Sequence, residues 1–269
     1  MPESTFQMRY AITPRLLTAP SRRRSGQLIS PEVKFLVAHD TGNPGSTASG
    51  NVAYYERSRD DLSASAHLFV DDREILECIP ALTEPPEKAW HVLYSVPTDD
   101  QLFGCNANDA AIGVEYCYGG TIDADEAYRK YVWVLAYACH HFGLDPATKV
   151  VGHFFLDPKR KTDPCTGLAR SRRTYEALLR DVVLEHAACS GAAPAPSTGN
   201  WVAAPGTAVA AVRLNVRTSP STRASVVQIV SPGTALAFEG WVTGGEPVNG
   251  NPKWFRDPGG KFFWSGGVR

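Results

Sequence analysis

An uncharged run, ACSGAAPAPSTGN at residues 188–200, constrains this chain more than any other feature. Rich in Ala, Pro, Ser and Gly, it offers too little apolar side chain to join a core, so it reads as a linker. The 269 residues therefore divide into a medium domain over 30–187 and a small one over 201–269. Residues 1–29 stand apart as an arginine-rich N-terminal extension to which the sequence assigns no role.

The two parts differ in pattern. Beyond the run come short β-rich pieces, AVAAVRLNV, SVVQIV, ALAFEGWV, KWFRD and KFFWSGGV, separated by SPST, SPG, GGEPVNGNP and DPGG turns. These predict a small antiparallel barrel or sandwich. Before it, β-branched and aromatic stretches predict strands at 34–39, 67–71, 74–79 and 110–117. Helices are expected at about 47–57, 124–142 and 171–186. The middle one is clearest, because Tyr128, Tyr131, Val132, Leu135, Cys139 and Phe142 recur at three- and four-residue steps before Gly143. The fold class is thus α/β (α+β), a mixed central sheet flanked by helices, followed by a small all-β domain.

Charge excludes some functions. With 27 Lys and Arg against 28 Asp and Glu, the chain has no basic field of the kind that binds nucleic acid or anionic lipid. No run reaches the ~20 apolar residues of a membrane-spanning helix. The N-terminus lacks the apolar stretch and cleavage site of a classical signal peptide, so synthesis in the cytoplasm is expected. The six cysteines, unpaired in spacing, are expected to be reduced thiols.

Histidine placement supplies the first chemical signal. His39 ends the apolar strand KFLVAH, and His153 follows Val150-Val151-Gly152. Two strand-end histidines far apart in sequence can converge on one cation, with a third ligand from the loop after His153. Asp157, Asp163 and Cys165 are the candidates there, and spacing alone does not choose among them. His140, His141 and His186 are expected to be structural or solvated.

Taken in order, VAHDTGN at 37–43, SAHLFVDD at 65–72, AWH at 89–91, AIGVEY at 111–116 and VVGH with RKTDPC at 150–165 resemble the motifs of zinc-dependent type 2 N-acetylmuramoyl-L-alanine amidases, relatives of the peptidoglycan recognition proteins. The resemblance spans about residues 30–187. It implies one zinc ion per chain, held by His39, His153 and Asp163, because Arg160-Lys161-Thr162-Asp163-Pro164 matches the branch with an aspartate ligand. Cys165 stands as the alternative third ligand. It further implies Glu115 as general base and Lys161 as the charge facing the developing oxyanion. His91, Trp90, Thr41 and Asn43 are expected to line the substrate groove, while His67 falls outside the catalytic set.

The C-terminal part resembles a bacterial SH3-like domain through RLNVRTSPST at 213–222, PGT at 232–234 and GNPKWFRDPGGKFFWSGGV at 250–268. Such domains bind cell-wall peptides, and Trp241, Trp254, Phe255, Phe263 and Trp264 are the aromatic candidates, most of them expected in the core. Together the resemblances imply hydrolysis of the amide between N-acetylmuramic acid and L-alanine in peptidoglycan. The expected role is that of a lytic enzyme (endolysin, autolysin or delivered effector) reaching the wall after release or secretion. A non-catalytic peptidoglycan-binding protein and a cytosolic muropeptide-recycling amidase are the alternatives.

Overall fold

The structure is a computed structural model that describes residues 6–190 and 201–269, apart from 223 and 225. Residues 191–200, most of the run read as a linker, lie outside these. The chain forms two compact units, divided between Ala193 and Pro194.

In the first unit, β1 (Ile12–Pro14), β2 (Phe35–Asp40), β3 (Leu68–Val70), β4 (Ile75–Glu77), β5 (Ala111–Tyr116) and β6 (Val150–Gly152) make one mixed sheet, ordered β1-β4-β3-β5-β2-β6. Every residue of β2, β3, β4 and β6 is buried, as expected of strands covered on both faces. The helices are α1 (Ala48–Arg57), α2 (Thr98–Phe103), α3 (Ala107–Ala110), α4 (Ala124–His141), α5 (His153–Leu156), α6 (Cys165–Arg170) and α7 (Tyr175–Ser190). The mixed α/β sheet with flanking helices is the architecture that the sequence predicts.

Local signals explain the best-placed elements. Asp123 caps α4 by accepting from the backbone N–H groups of Asp125 and Glu126, and the acids of the first turn oppose His140 and His141 in the last. Thr47 caps α1 in the same way through Gly50 N–H. The helix expected at 171–186 is displaced: Arg172 takes φ 57°, which separates α6 from α7, and α7 runs on through Cys189 and Ser190. Residues 188–190, read as linker, are therefore helical. All six cysteines are free thiols. Among the described residues no helix is long and apolar enough to cross a membrane.

The N-terminal segment, set apart in the sequence reading, is built into the first unit. Its strand β1 pairs in parallel with β4, covering that sheet edge, and Phe6 and Leu17 join the core. Its arginines act as clamps. Arg23, 2% exposed, donates to Ser58 O, Ser58 Oγ and Ala64 O and lies over the Tyr55 ring at 4.3 Å. Arg24 pairs with Glu87 at 2.7 Å.

The second unit is all β. Its strands β7 (Val202–Val209), β8 (Leu214–Arg217), β9 (Val226–Val230), β10 (Ala235–Val242), β11 (Trp254–Arg256) and β12 (Phe262–Trp264) pair antiparallel in the order β7-β10-β11-β12-β8-β9. Of its five candidate aromatics, Trp254 and Phe263 are buried in the core and so withdrawn from any ligand surface. Trp241, Phe255 and Trp264 are partly exposed.

His67 ties the first unit's sheet together: its Nδ1 accepts from Gly113 N–H at 2.9 Å and its Nε2–H donates to Glu87 O at 2.8 Å. Burial lowers its pKa from 6.5 to about 4, so its stabilising contribution is complete above pH 6.5 and is lost as pH falls toward 4. His67→Gln is therefore expected to flatten the pH dependence of unfolding across that interval by about one proton, ~1.4 kcal/mol per pH unit. Urea titrations of both proteins between pH 6.5 and 4 measure it; superimposable slopes would refute it. Arg23→Ala, which leaves the Ser58 and Ala64 carbonyls without their donor, is expected to cost about 3 kcal/mol by the same assay. Arg22→Ala, at an exposed position, is expected to stay within ~0.5 kcal/mol of the parent.

Candidate active site

Strand register builds the site. β5 and β6 flank β2 in parallel, and the register sets His39 beside Glu115 near the carboxyl ends of β2 and β5. His153 begins α5 at the carboxyl end of β6. Crevices outside the carboxyl ends of such strands are where open α/β sheets bind ligands. An open cleft of about 490 Å³ lies here, lined by His39, His91, His153, Asp163, Glu115, Lys161, Thr41 and Trp90 among others.

Three ligand-type atoms converge in it. Asp163 Oδ2 lies 2.9 Å from His39 Nδ1 and 3.0 Å from His153 Nδ1, and the ligand atoms of all three residues fall within 4.8 Å of one another. Cys165, at the start of α6, is not part of this group; burial pushes its thiol pKa up. The donor set suits zinc: two imidazole nitrogens and one carboxylate oxygen, opening onto a cleft. Burial lowers His39 to about 4 despite its bond to Asp163, so the ring is neutral at ordinary pH and free to ligate. Burial pushes Asp163 upward, but bonds from His153 and His39 prevail and hold it well below the usual carboxylate range.

Glu115 lines the cleft with its Oε2 buried and without a hydrogen-bond partner. Burial, then the charges of Asp163 and Asp40, raise its pKa well above the ordinary value, with Lys161 opposing. Glu115 thus combines raised basicity with a buried oxygen that lacks a hydrogen-bond partner.

The groove candidates part company. Thr41 and Trp90 line the cleft, whereas Asn43 is exposed and outside the lining set. His91 also borders the cleft but is only 9% exposed, and both its ring nitrogens face protein: Nδ1 contacts His39 Nε2 at 3.0 Å and Nε2 contacts Ala107 O at 3.2 Å.

Sequence reasoning passed over Asp40 and Tyr131. The buried Asp40 accepts from Gly42 N–H and, at 2.7 Å, from Gly167 N–H, tying the end of β2 to α6 just beyond Asp163. Gly167 has no room for a side chain there, since an added Cβ would stand 2.9 Å from Asp40 Cβ. The Tyr131 hydroxyl donates to His39 O at 2.9 Å. Asp40 lies in VAHDTGN, beside a ligand candidate; nothing in the helical pattern of α4 singles out Tyr131.

The chain is similar to known proteins. A curated relative, N-acetylmuramoyl-L-alanine amidase BlyA of Bacillus subtilis (strain 168), is 32% identical over 148 residues, covering 52% of this chain and 39% of its own length. The match thus spans well under half of that relative. Among solved structures, the catalytic domain of XlyA superposes with TM-score 0.51 at 22% identity, covering 64% of this chain and 99% of that one. Staphylococcus aureus hydrolase AmiA, solved in complex with its ligand, gives 0.54 at 21% identity over 70% and 90%. At such identities these structures speak for the fold. The family description N-acetylmuramoyl-L-alanine amidase (Amidase_2) matches residues 30–166, just over half the chain and including His39, Glu115, His153, Lys161 and Asp163, and the chain belongs to that family.

Proposed function

We propose that this chain is a zinc-dependent N-acetylmuramoyl-L-alanine amidase that cuts the amide between the lactyl group of N-acetylmuramic acid and L-alanine in peptidoglycan, acting as a wall-lytic enzyme. The observation that carries the reading is the meeting of His39 Nδ1, His153 Nδ1 and Asp163 Oδ2 beside the unpartnered Glu115 Oε2 in one open cleft. Family membership supports the substrate class.

His39, His153 and Asp163 hold the zinc ion in this reading. When bound, the ion supplies Lewis acidity, activating water and polarising the scissile carbonyl. Glu115 takes the proton of the attacking water and later returns it to the leaving amine, tasks suited to a carboxylate of raised basicity. Lys161, on the cleft wall, places a positive charge toward the carbonyl oxygen as negative charge builds there. Trp90 and Thr41 border the substrate's path. The second unit serves as an SH3-like wall-binding module in this proposal, a role consistent with its antiparallel all-β build and the partly exposed Trp241 and Trp264.

Digestion of purified peptidoglycan, read by mass spectrometry, tests the chemistry. Free L-alanine amino termini are expected to appear, to vanish with a chelator and to return with added zinc. Glu115→Ala is expected to retain zinc while lowering kcat by about 10²- to 10⁴-fold. Products that keep the lactyl–alanine linkage would refute the reaction. Zinc content separates the third-ligand candidates: Asp163→Ala is expected to lose the metal and Cys165→Ser to keep the full equivalent. The reverse pattern would transfer the ligand role to Cys165.

A further inference from the structure

The best-defined unassigned contact in the cleft is the one between two histidines. His91 Nε2 lies 3.2 Å from Ala107 O, a backbone carbonyl that can only accept, so this nitrogen carries the ring proton. In the neutral imidazole Nδ1 then holds a lone pair, and it faces His39 Nε2 at 3.0 Å. With a cation on its Nδ1, the nitrogen that otherwise bonds Asp163 Oδ2 at 2.9 Å, His39 carries its own proton on Nε2, against the His91 Nδ1 lone pair. The three groups Ala107 O, His91 and His39 thus form one directed chain, each link setting the proton position of the next.

The seat of His91 is built from several sides. Asn108 Oδ1 accepts from the backbone N–H groups of His91 and Val92, at 2.8 and 2.9 Å, fixing the segment that carries the ring. Gly113 on β5 leaves room for the ring: an added Cβ would stand 2.9 Å from its Cγ and Nδ1. The two ring planes stand 83° apart. Little of His91 remains for a substrate to touch.

We propose that His91 is a positioning residue that locks His39 in the Nε2–H tautomer and so sets the affinity of the site for zinc, rather than a substrate contact. The inference rests on the zinc-site reading above. An acceptor behind a metal-bound imidazole orients the ring and raises its basicity, and losing such a partner weakens metal binding by about 10- to 100-fold. Here the acceptor is a second imidazole, itself oriented by a backbone carbonyl.

The test uses the full-length protein and zinc, with affinity measured by chelator competition. His91→Leu, similar in bulk and unable to accept, is expected to weaken zinc binding by about 10- to 100-fold. His91→Gln, whose amide can accept from His39 and donate to Ala107 O, is expected to recover most of that loss. Long-range ¹H–¹⁵N spectra of the zinc-loaded parent are expected to show His91 and His39 both protonated on Nε2; they need no variant and decide the matter even where a substitution fails to fold. Protonation of His91 on Nδ1 overturns the proposal. So does a His91→Leu affinity within twofold of the parent, above all with a raised KM, which would mark a substrate contact. So does a His91→Gln no better than His91→Leu. A parent that takes up no zinc defeats the site reading itself, whereas a zinc-binding parent with an indifferent His91 defeats only this inference.

Discussion

Parallel hydrogen bonding of β2 with β5 on one side and β6 on the other is the constraint on which the rest of the site depends. Because successive residues of a strand face opposite ways, a one-residue slip between β2 and β5 would turn Glu115 away from His39. The register is held by burial, since Leu36, Val37, Ala38, Ile112 and Val114 are all fully enclosed and a slip would bring polar groups into the core. β6 adds only three residues, yet it delivers His153 to the same end of the sheet. Backbone pairing thus places the residues of the site.

A second set of interactions holds the loops around that edge. Asp40 binds the backbone at Gly167, Tyr131 binds the carbonyl of His39, and the chain from Ala107 through His91 reaches His39 from behind. Each is a buried polar group with a partner, and each partner belongs to a different element. Losing one leaves an unpaired group in a low-dielectric setting, which makes the arrangement stiff as well as stable. Glu115 Oε2 stands out against this background as a buried oxygen without a hydrogen-bond partner.

The N-terminal arginines show how misleading composition can be. Five arginines in thirty residues read as a charged extension, yet Arg23 is nearly inaccessible and its segment closes the edge of the sheet. Guanidinium groups are weakly hydrated and planar, so they can be buried when carbonyls and aromatic faces receive them. No local pattern in the segment announces those partners, since Ser58, Ala64 and Tyr55 lie more than thirty residues away.

What the sequence determined by itself was the set of elements and the chemical inventory. β-branched and aromatic stretches between turn residues marked the strands, helical spacing ending at Gly143 marked α4, and strand-end histidines with a downstream loop of acids marked a metal-type site. Local spacing left Asp157, Asp163 and Cys165 as equals, and only the tertiary structure brought Asp163 Oδ2 between two imidazoles while leaving Cys165 at a helix start. His91 shows the same limit: its motif marked it as a residue near the groove, whereas its orientation toward His39 depends on where Gly113 and Ala107 lie. The physical reason is common to both. A residue's chemical type is encoded locally, but which atoms its side chain faces is decided by strand register and packing between segments distant in the chain.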